Sequence, residues 1–205
     1  MNEKTKSFIG ILIILILFIL SSYFVRENID FIKGFIGNNF LGVLIYILIS
    51  IVAIVIAPIS MMPLVPIAAN LWGWFYSGII HIIGWSIGSV IVFFLSRKYG
   101  VPLIKKFISL KKINEFEKKI PKENLFIDLV LLRMIIPIDI LSYALGLFSK
   151  VKFKTYALTT VIGITPFAFV FSFLGTIPIY YQIFGFFLVG LIVVLIHELR
   201  KKKKS

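Results

Sequence analysis

Residues 39–72 read NFLGVLIYILISIVAIVIAPISMMPLVPIAANLW, a stretch without one charged side chain and with prolines at 58, 63 and 66. It sits inside a longer run, Gly34 to Ser96, whose only titratable group apart from tyrosine is His81. About 20 apolar residues cross a bilayer, so the run is too long for one crossing. Proline breaks a helix by removing an N–H and crowding the preceding turn. A broken helix at membrane depth needs protein or a wet cavity to satisfy its freed backbone groups. The stretch therefore predicts a hairpin that enters the bilayer and returns.

The rest of the composition agrees with a membrane setting. Of 205 residues, 60% are hydrophobic and the mean hydropathy is +1.03, against about 45–50% apolar in a soluble domain. The chain has no cysteine, which excludes disulfides, thiolate metal sites and a cysteine nucleophile. Two histidines and nine carboxylates are thinly spread, so neither a metal centre nor a cofactor is expected. The net charge of +13 resides in lysines beside apolar segments, as at an anionic cytoplasmic leaflet, and no nucleic-acid partner is expected. Lys4 and Lys6 precede an apolar run from Phe8 to Leu20 with no small-residue cleavage site after it, which reads as an uncleaved first span.

Charge then sets the topology. Four apolar stretches are long enough to cross, about 7–25, 74–96, 153–175 and 178–198; two others, 39–72 and 125–148, are interrupted. Nineteen of the 22 Lys and Arg lie in the N-terminus, 97–122, 150–154 and 200–204. All four regions face the cytoplasm, as the positive-inside rule asks, only if each interrupted segment returns to the side it came from. Hairpin plus span entering from outside is then followed by hairpin plus span entering from inside, an inverted repeat of the kind secondary transporters use. A faint echo supports it: Ile83-Gly84-Trp85-Ser86-Ile87-Gly88 parallels Ile162-Gly163-Ile164-Thr165-Pro166. The expected fold class is an all-α polytopic membrane protein with about four transmembrane helices plus two opposed re-entrant hairpins. Its parts are 1–38 (first span and interfacial helix), 39–178 (core) and 179–205 (last span and basic tail). Both termini are expected in the cytoplasm, and the membrane is expected to be the cell membrane.

Smaller elements follow from periodicity. Ile29, Ile32, Phe35 and Ile36 predict one face of a short interfacial helix over 28–38. Two amphipathic helices are expected over 101–122, opened by Pro102 and ended by Pro121; their lysines either only set topology or bind lipid headgroups. Trp72, Trp74, Tyr76, Tyr99, Tyr180 and Tyr181 fit interfacial belts. Trp85, mid-span, has an indole N–H with no partner evident from the sequence.

The chemistry concentrates in Leu131-Leu132-Arg133-Met134-Ile135-Ile136-Pro137-Ile138-Asp139-Ile140-Leu141-Ser142-Tyr143-Ala144-Leu145-Gly146. A charged residue at the bilayer centre costs at least ~2.5–3.5 kcal/mol, so it faces a cavity or a partner. Arg133 offers a planar fork suited to phosphate, beside a proline break whose free amides add to an anion site. Either Arg133 and Asp139 neutralise each other, or a substrate phosphate competes with Asp139 for Arg133. Asp128 reads as interfacial.

This run resembles the second signature of the DedA/VTT-domain superfamily, the SNARE-associated Golgi protein family, in its bacterial and archaeal branch. Arginine, proline turn, aspartate, Ser-Tyr and a glycine three residues on match it in order and spacing. Gly73-Trp74-Phe75-Tyr76-Ser77-Gly78, and the Gly84/Gly88 span ending Ser96-Arg97-Lys98-Tyr99-Gly100, resemble its first half. The resemblance covers roughly 55–178. It implies two opposed re-entrant hairpins and lipid translocation: polyprenyl-phosphate carriers in bacterial members, phospholipid scrambling in eukaryotic ones, with proton coupling in the DedA branch. This chain departs from the pattern in having one proline, Pro137, where relatives usually have two. It also has no acid in 39–72, where that branch places carboxylates.

His81 shares a helical face with Ser77, Gly84 and Gly88, and Gly84-x-x-x-Gly88 permits close helix approach. Either this is a packing stripe with one bonded imidazole, or His81 is the protonatable group that the first hairpin lacks, with Asp139 the other candidate for proton coupling. Thr155, Thr159, Gly163 and Pro166 make a comparable face. Asn70 either lines the site or caps a helix.

The expected function is a transporter moving an anionic lipid, a polyprenyl phosphate or phospholipid, between leaflets. Arg133, Asp139, Pro137, Ser142, Tyr143 and Asn70 bind substrate in this reading, and Gly84, Gly88, Thr159 and Gly163 line the path. Membrane lipids are the expected partners, and self-association is left open. The alternatives are a carrier of small ions or solutes and a non-transporting membrane scaffold. No enzyme is expected, since there is no metal-ligand constellation, no paired catalytic acids and no phosphate-cradling glycine loop.

Overall fold

A computed structural model describes residues 3–37, 39–56, 60–104, 125–149 and 151–188, all of whose regular structure is helical. The expected break at Ala57-Pro58, most of the 101–122 helices and the basic tail lie outside the described residues. Helix α1 (Glu3–Glu27) leads into α2 (Ile29–Ile36), which turns off it by 92°. Next come α3 (Phe40–Val55) and a 3-10 turn (Met62–Leu64) running into α4 (Val65–Trp72). Helix α5 (Trp74–Ile104) is interrupted at Gly100, where φ is +63°. After it stand α6 (Leu125–Ile135), α7 (Ile138–Phe148), α8 (Phe153–Thr176) and α9 (Ile179–Leu188).

Local chemistry sets these boundaries. Asn39 caps α3 by accepting from the Gly42 N–H at 3.0 Å. Pro63 and Pro66 stand in the first turns of the 3-10 segment and of α4. A missing N–H costs nothing in a first turn, so these prolines open the second limb and do not interrupt it. Gly73, with φ +80°, separates α4 from α5; a left-handed residue at such a junction favours glycine.

Residues 39–72 fold back on themselves. A single straight helix would hold Tyr46 and Trp72 about 39 Å apart at ~1.5 Å per residue. Their ring centroids are 5.6 Å apart, and the Tyr46 hydroxyl donates to the Leu64 carbonyl at 3.2 Å. Residues 125–148 do the same: Leu129 and Leu145, about equally far from the turn, share one buried cluster, and Arg133 on α6 donates to Ser142 on α7 at 2.9 Å.

The two crossing helices run antiparallel. Trp74 meets Phe173 at 6.0 Å at one end, and Phe94 meets Phe153 at 5.2 Å at the other. The open end of the first hairpin lies with the Trp74 end, since Asn70 at the close of α4 donates to the Gly175 carbonyl at 2.9 Å. The second opens at the opposite end, where Arg97 donates to the Ser149 and Val151 carbonyls at 2.7 and 3.2 Å. Their tips touch, because the Tyr143 hydroxyl on α7 donates to the Val55 carbonyl ending α3, at 2.6 Å. The echo around Gly84 and Gly163 is a spatial one. Gly84 seats Ser50 and Ile47 of α3, and Gly163 seats Arg133 and Val130 of α6, three residues apart in both cases. Thus α3–α4–α5 and α6–α7–α8 are inverted copies, and the expected all-α membrane class with opposed hairpins stands.

Among the described residues two helices, Trp74–Gly100 and Phe153–Thr176, are each long and apolar enough to cross a membrane. A third crossing is counted when Leu12–Glu27 and the bent Ile29–Ile36 are taken together. Of the expected span 178–198 only Ile179–Leu188 is described. Helix α1 packs on α4, and Phe18 meets Phe171 and Phe186 edge-on. The protein covers only part of the expected apolar stripe of α2. Ile32 is buried beside Leu71, with Ile29 and Ile36 packed against them, but Phe35 is 85% exposed and stacks on Phe31 at 6.3 Å. The 92° turn aims that aromatic pair away from the protein.

Candidate functional site

Arg133 occupies the last turn of α6, where the second hairpin reaches its tip. It is only 4% exposed. Its Nη1 donates to the Ile138 carbonyl at 3.0 Å and to Ser142 Oγ at 2.9 Å, and its guanidinium lies 4.9 Å from the Tyr156 ring centroid. Its Nε and Nη2 are buried and have no hydrogen-bond partner among the described residues. A buried unsatisfied donor is costly, more so on a charged group. The close approach depends on Gly163, where a Cβ would stand 2.5 Å from the Arg133 Cβ.

The other residues named from the sequence divide into two groups. Ser142 and Tyr143 join the Arg133 neighbourhood, and Tyr143 ties it to the first hairpin. Pro137 takes the N-cap position of α7, with no side-chain cap on the free amides behind it. Asp139, half-buried in the first turn of α7, is itself engaged and lies one helical turn from Tyr143. Asn70 is not at this site: its amide donates to the Pro66 and Gly175 carbonyls at 2.8 and 2.9 Å, so it ties the C-terminal end of α4 to the last turn of α8. Gly84 and Gly88 line no open path either. Ser50 and Ile47 fill the space before Gly84, and Ile54 and Ile51 that before Gly88, because close contact between α3 and α5 needs those glycines. Thr159 is buried, its hydroxyl donating to the Thr155 and Tyr156 carbonyls of its own helix at 2.8 and 3.1 Å.

Residues 59–177 match the VTT domain, more than half of the chain. The chain belongs to the VTT-domain family. This is the domain of the DedA and SNARE-associated Golgi proteins, and the chain is a membrane protein. No curated protein and no solved structure matches it. The VTT segment runs from the tip of the first hairpin to the end of α8. Helix α3 precedes it, yet completes the first repeat.

Within the VTT domain, His81 is fully buried and bonded at both ring nitrogens. Nε2 lies 2.7 Å from the Tyr46 hydroxyl and Nδ1 3.0 Å from Ser172 Oγ. The ring also stacks on Trp85 at 5.1 Å. Tyr46 has one hydrogen, and the Leu64 carbonyl can only accept. Both bonds of Tyr46 are therefore made when His81 carries its proton on Nε2, with Nδ1 accepting from Ser172. His81 thereby joins α3, α5 and α8. Its partners Tyr46 and Ser172 escaped the sequence reading, as did Tyr156, which stacks on Phe93 at 3.9 Å and donates to the Ser89 carbonyl at 2.7 Å. A lone Tyr, one turn before the small face of Thr160 and Gly163, was the available signal for Tyr156.

Proposed function

We propose that this VTT-domain protein moves an anionic lipid, a polyprenyl phosphate or a phospholipid, between leaflets of the cell membrane, its basic loops and both termini in the cytoplasm. The observation that carries the reading is the Arg133 guanidinium, buried where two opposed hairpins meet, with two nitrogens that have no hydrogen-bond partner among the described residues. Inverted-repeat transporters bind their substrates near the midplane at the repeat interface, often against the N-termini of broken helices. Here the uncapped N-terminus of α7 lies within the same turn that holds Arg133. A phosphate oxygen accepts from a guanidinium fork in two parallel bonds. The lipid tail stays in the bilayer, so only the headgroup needs shelter.

The test is lipid movement in vesicles reconstituted with the full chain, comparing wild type, Arg133→Lys and Arg133→Ala at equal folded yield. Losing hydrogen bonds to a charged group, about 1.5–3 kcal/mol, lowers the rate of Arg133→Ala by roughly tenfold or more. Arg133→Lys, which retains charge without the fork, falls between. Equal rates in all three proteins discard the assignment.

A further inference from the structure

Trp85 lies mid-way along α5 and is 8% exposed, yet its indole N–H has no hydrogen-bond partner among the described residues. Inside a bilayer no water is at hand to rescue such a group, and natural proteins leave few buried polar atoms unpaired. Phenylalanine would fill the same volume without the orphaned donor. The ring is also held in place. It stacks on His81 with an interplanar angle of 20° and packs in one cluster with Ile54 and Val65 of the first hairpin, Tyr143 and Ala144 of the second, and Ile164 of α8. That cluster is where the hairpins meet.

Three short routes, each through intermediate residues, link it to Arg133. Ile164 follows Gly163, which seats the Arg133 Cβ. Tyr143 follows Ser142, which accepts from Arg133 Nη1. Tyr156, under the guanidinium, donates to the carbonyl of Ser89, one turn along α5 from Trp85. Among the described residues, and apart from the Ser86 hydroxyl, the unpaired buried side-chain atoms of this region are Arg133 Nε, Arg133 Nη2 and Trp85 Nε1. All three are donors, so the missing partner is an acceptor. We infer that Trp85 is a second donor of the anion seat, binding through its indole N–H the same phosphoryl group that Arg133 takes through its fork. This rests on the proposed function and adds to it a neutral, directional contact from the other repeat, which fixes the headgroup orientation.

The experiment uses the full chain in detergent micelles, with the three indole N–H signals resolved by nuclear magnetic resonance and Trp85 assigned through Trp85→Phe. The probes are farnesyl phosphate, farnesol and inorganic phosphate. Farnesyl phosphate shifts the Trp85 indole proton downfield in wild type and leaves it unmoved in Arg133→Ala, and Trp85→Phe binds it roughly tenfold more weakly. The same shift with inorganic phosphate alone supports the donor role and names a free anion as occupant. An equal shift with farnesol means that the tail, not the phosphoryl group, is sensed, and overturns the inference. Binding that Arg133→Ala abolishes, with no Trp85 shift and no loss in Trp85→Phe, overturns the role of Trp85 and leaves that of Arg133 intact. Binding indifferent to Arg133→Ala removes the reading on which both rest. If Trp85→Phe folds poorly, Trp72→Phe and Trp74→Phe assign the remaining indole signal to Trp85 by elimination, and the wild-type shift still decides the matter.

Discussion

Gly163→Ala tests whether the seat of Arg133 is as tight as the geometry says. The new Cβ would stand 2.5 Å from the Arg133 Cβ, 0.9 Å inside the 3.4 Å at which ordinary contact begins, and 3.2 Å from the Val130 carbonyl. A Cβ is fixed to its backbone and cannot swing aside, so α6 must move off α8. Overpacking of this kind costs about 1–3 kcal/mol. The inverted repeat supplies its own control, since Gly84→Ala would meet Ser50 Cβ at 3.0 Å, only 0.4 Å too close. Thermal unfolding of the detergent-solubilised chain should place Gly163→Ala well below Gly84→Ala, and lipid movement should fall with it as the guanidinium is displaced. A double-mutant cycle isolates the contact. In an Arg133→Gly background, which lacks the offending Cβ, the penalty of Gly163→Ala should shrink to that of the Val130 contact. Equal destabilisation by the two alanines, or a penalty unchanged by Arg133→Gly, would refute the reasoning.

Two further perturbations probe the joints around the site. Tyr143→Phe deletes the donor to the Val55 carbonyl and leaves that carbonyl without a partner among the described residues, a loss of about 1–3 kcal/mol read as a lower unfolding midpoint. An unchanged midpoint would mean that the tip contact holds nothing together. His81→Phe preserves a flat ring against Trp85 but removes the donor to the Tyr46 hydroxyl and the acceptor of the Ser172 hydroxyl, which keep Leu64 and Ser77 as partners, with an expected loss of about 1 kcal/mol per lost bond. His81→Gln retains a donor and an acceptor and should recover much of it. Abolished transport in a folded His81→Gln protein would make His81 a proton carrier and not a structural tie.

Hairpins, spans and the repeat were legible because membrane physics leaves few options. A charge-free run longer than one crossing, broken by prolines and flanked by lysines on one side, has to turn back. Arg133 was legible for a related reason: a guanidinium in an apolar sequence is too costly to be accidental. What the sequence hid was direction. Small residues at 84, 88 and 163 read equally as a wet path and as a dry seam, and only the positions of Ser50, Ile54 and Arg133 against them distinguish the two. Asn70 looked like a site residue because it is the only side-chain amide between Phe40 and Ser96. Its partner is a carbonyl 105 residues away, which no local pattern encodes. Periodicity put Phe35 on one stripe of α2 with Ile29, Ile32 and Ile36 without saying how much of that stripe the protein covers.

The repeat also bears on why the buried guanidinium has no twin. Ser50 and Arg133 hold equivalent seats, one against Gly84 and one against Gly163. Ser50 is self-contained, its hydroxyl donating to the Tyr46 carbonyl at 2.9 Å, so the first limb presents a neutral wall. A second arginine there would add at least ~2.5–3.5 kcal/mol of insertion cost and raise the affinity for an anion at the midplane. Conduction requires binding strong enough for the substrate to enter and weak enough for it to leave. In the proposed lipid movement, one guanidinium opposed by a neutral repeat would meet that requirement, and a charge on each side would hold the headgroup where it has to pass.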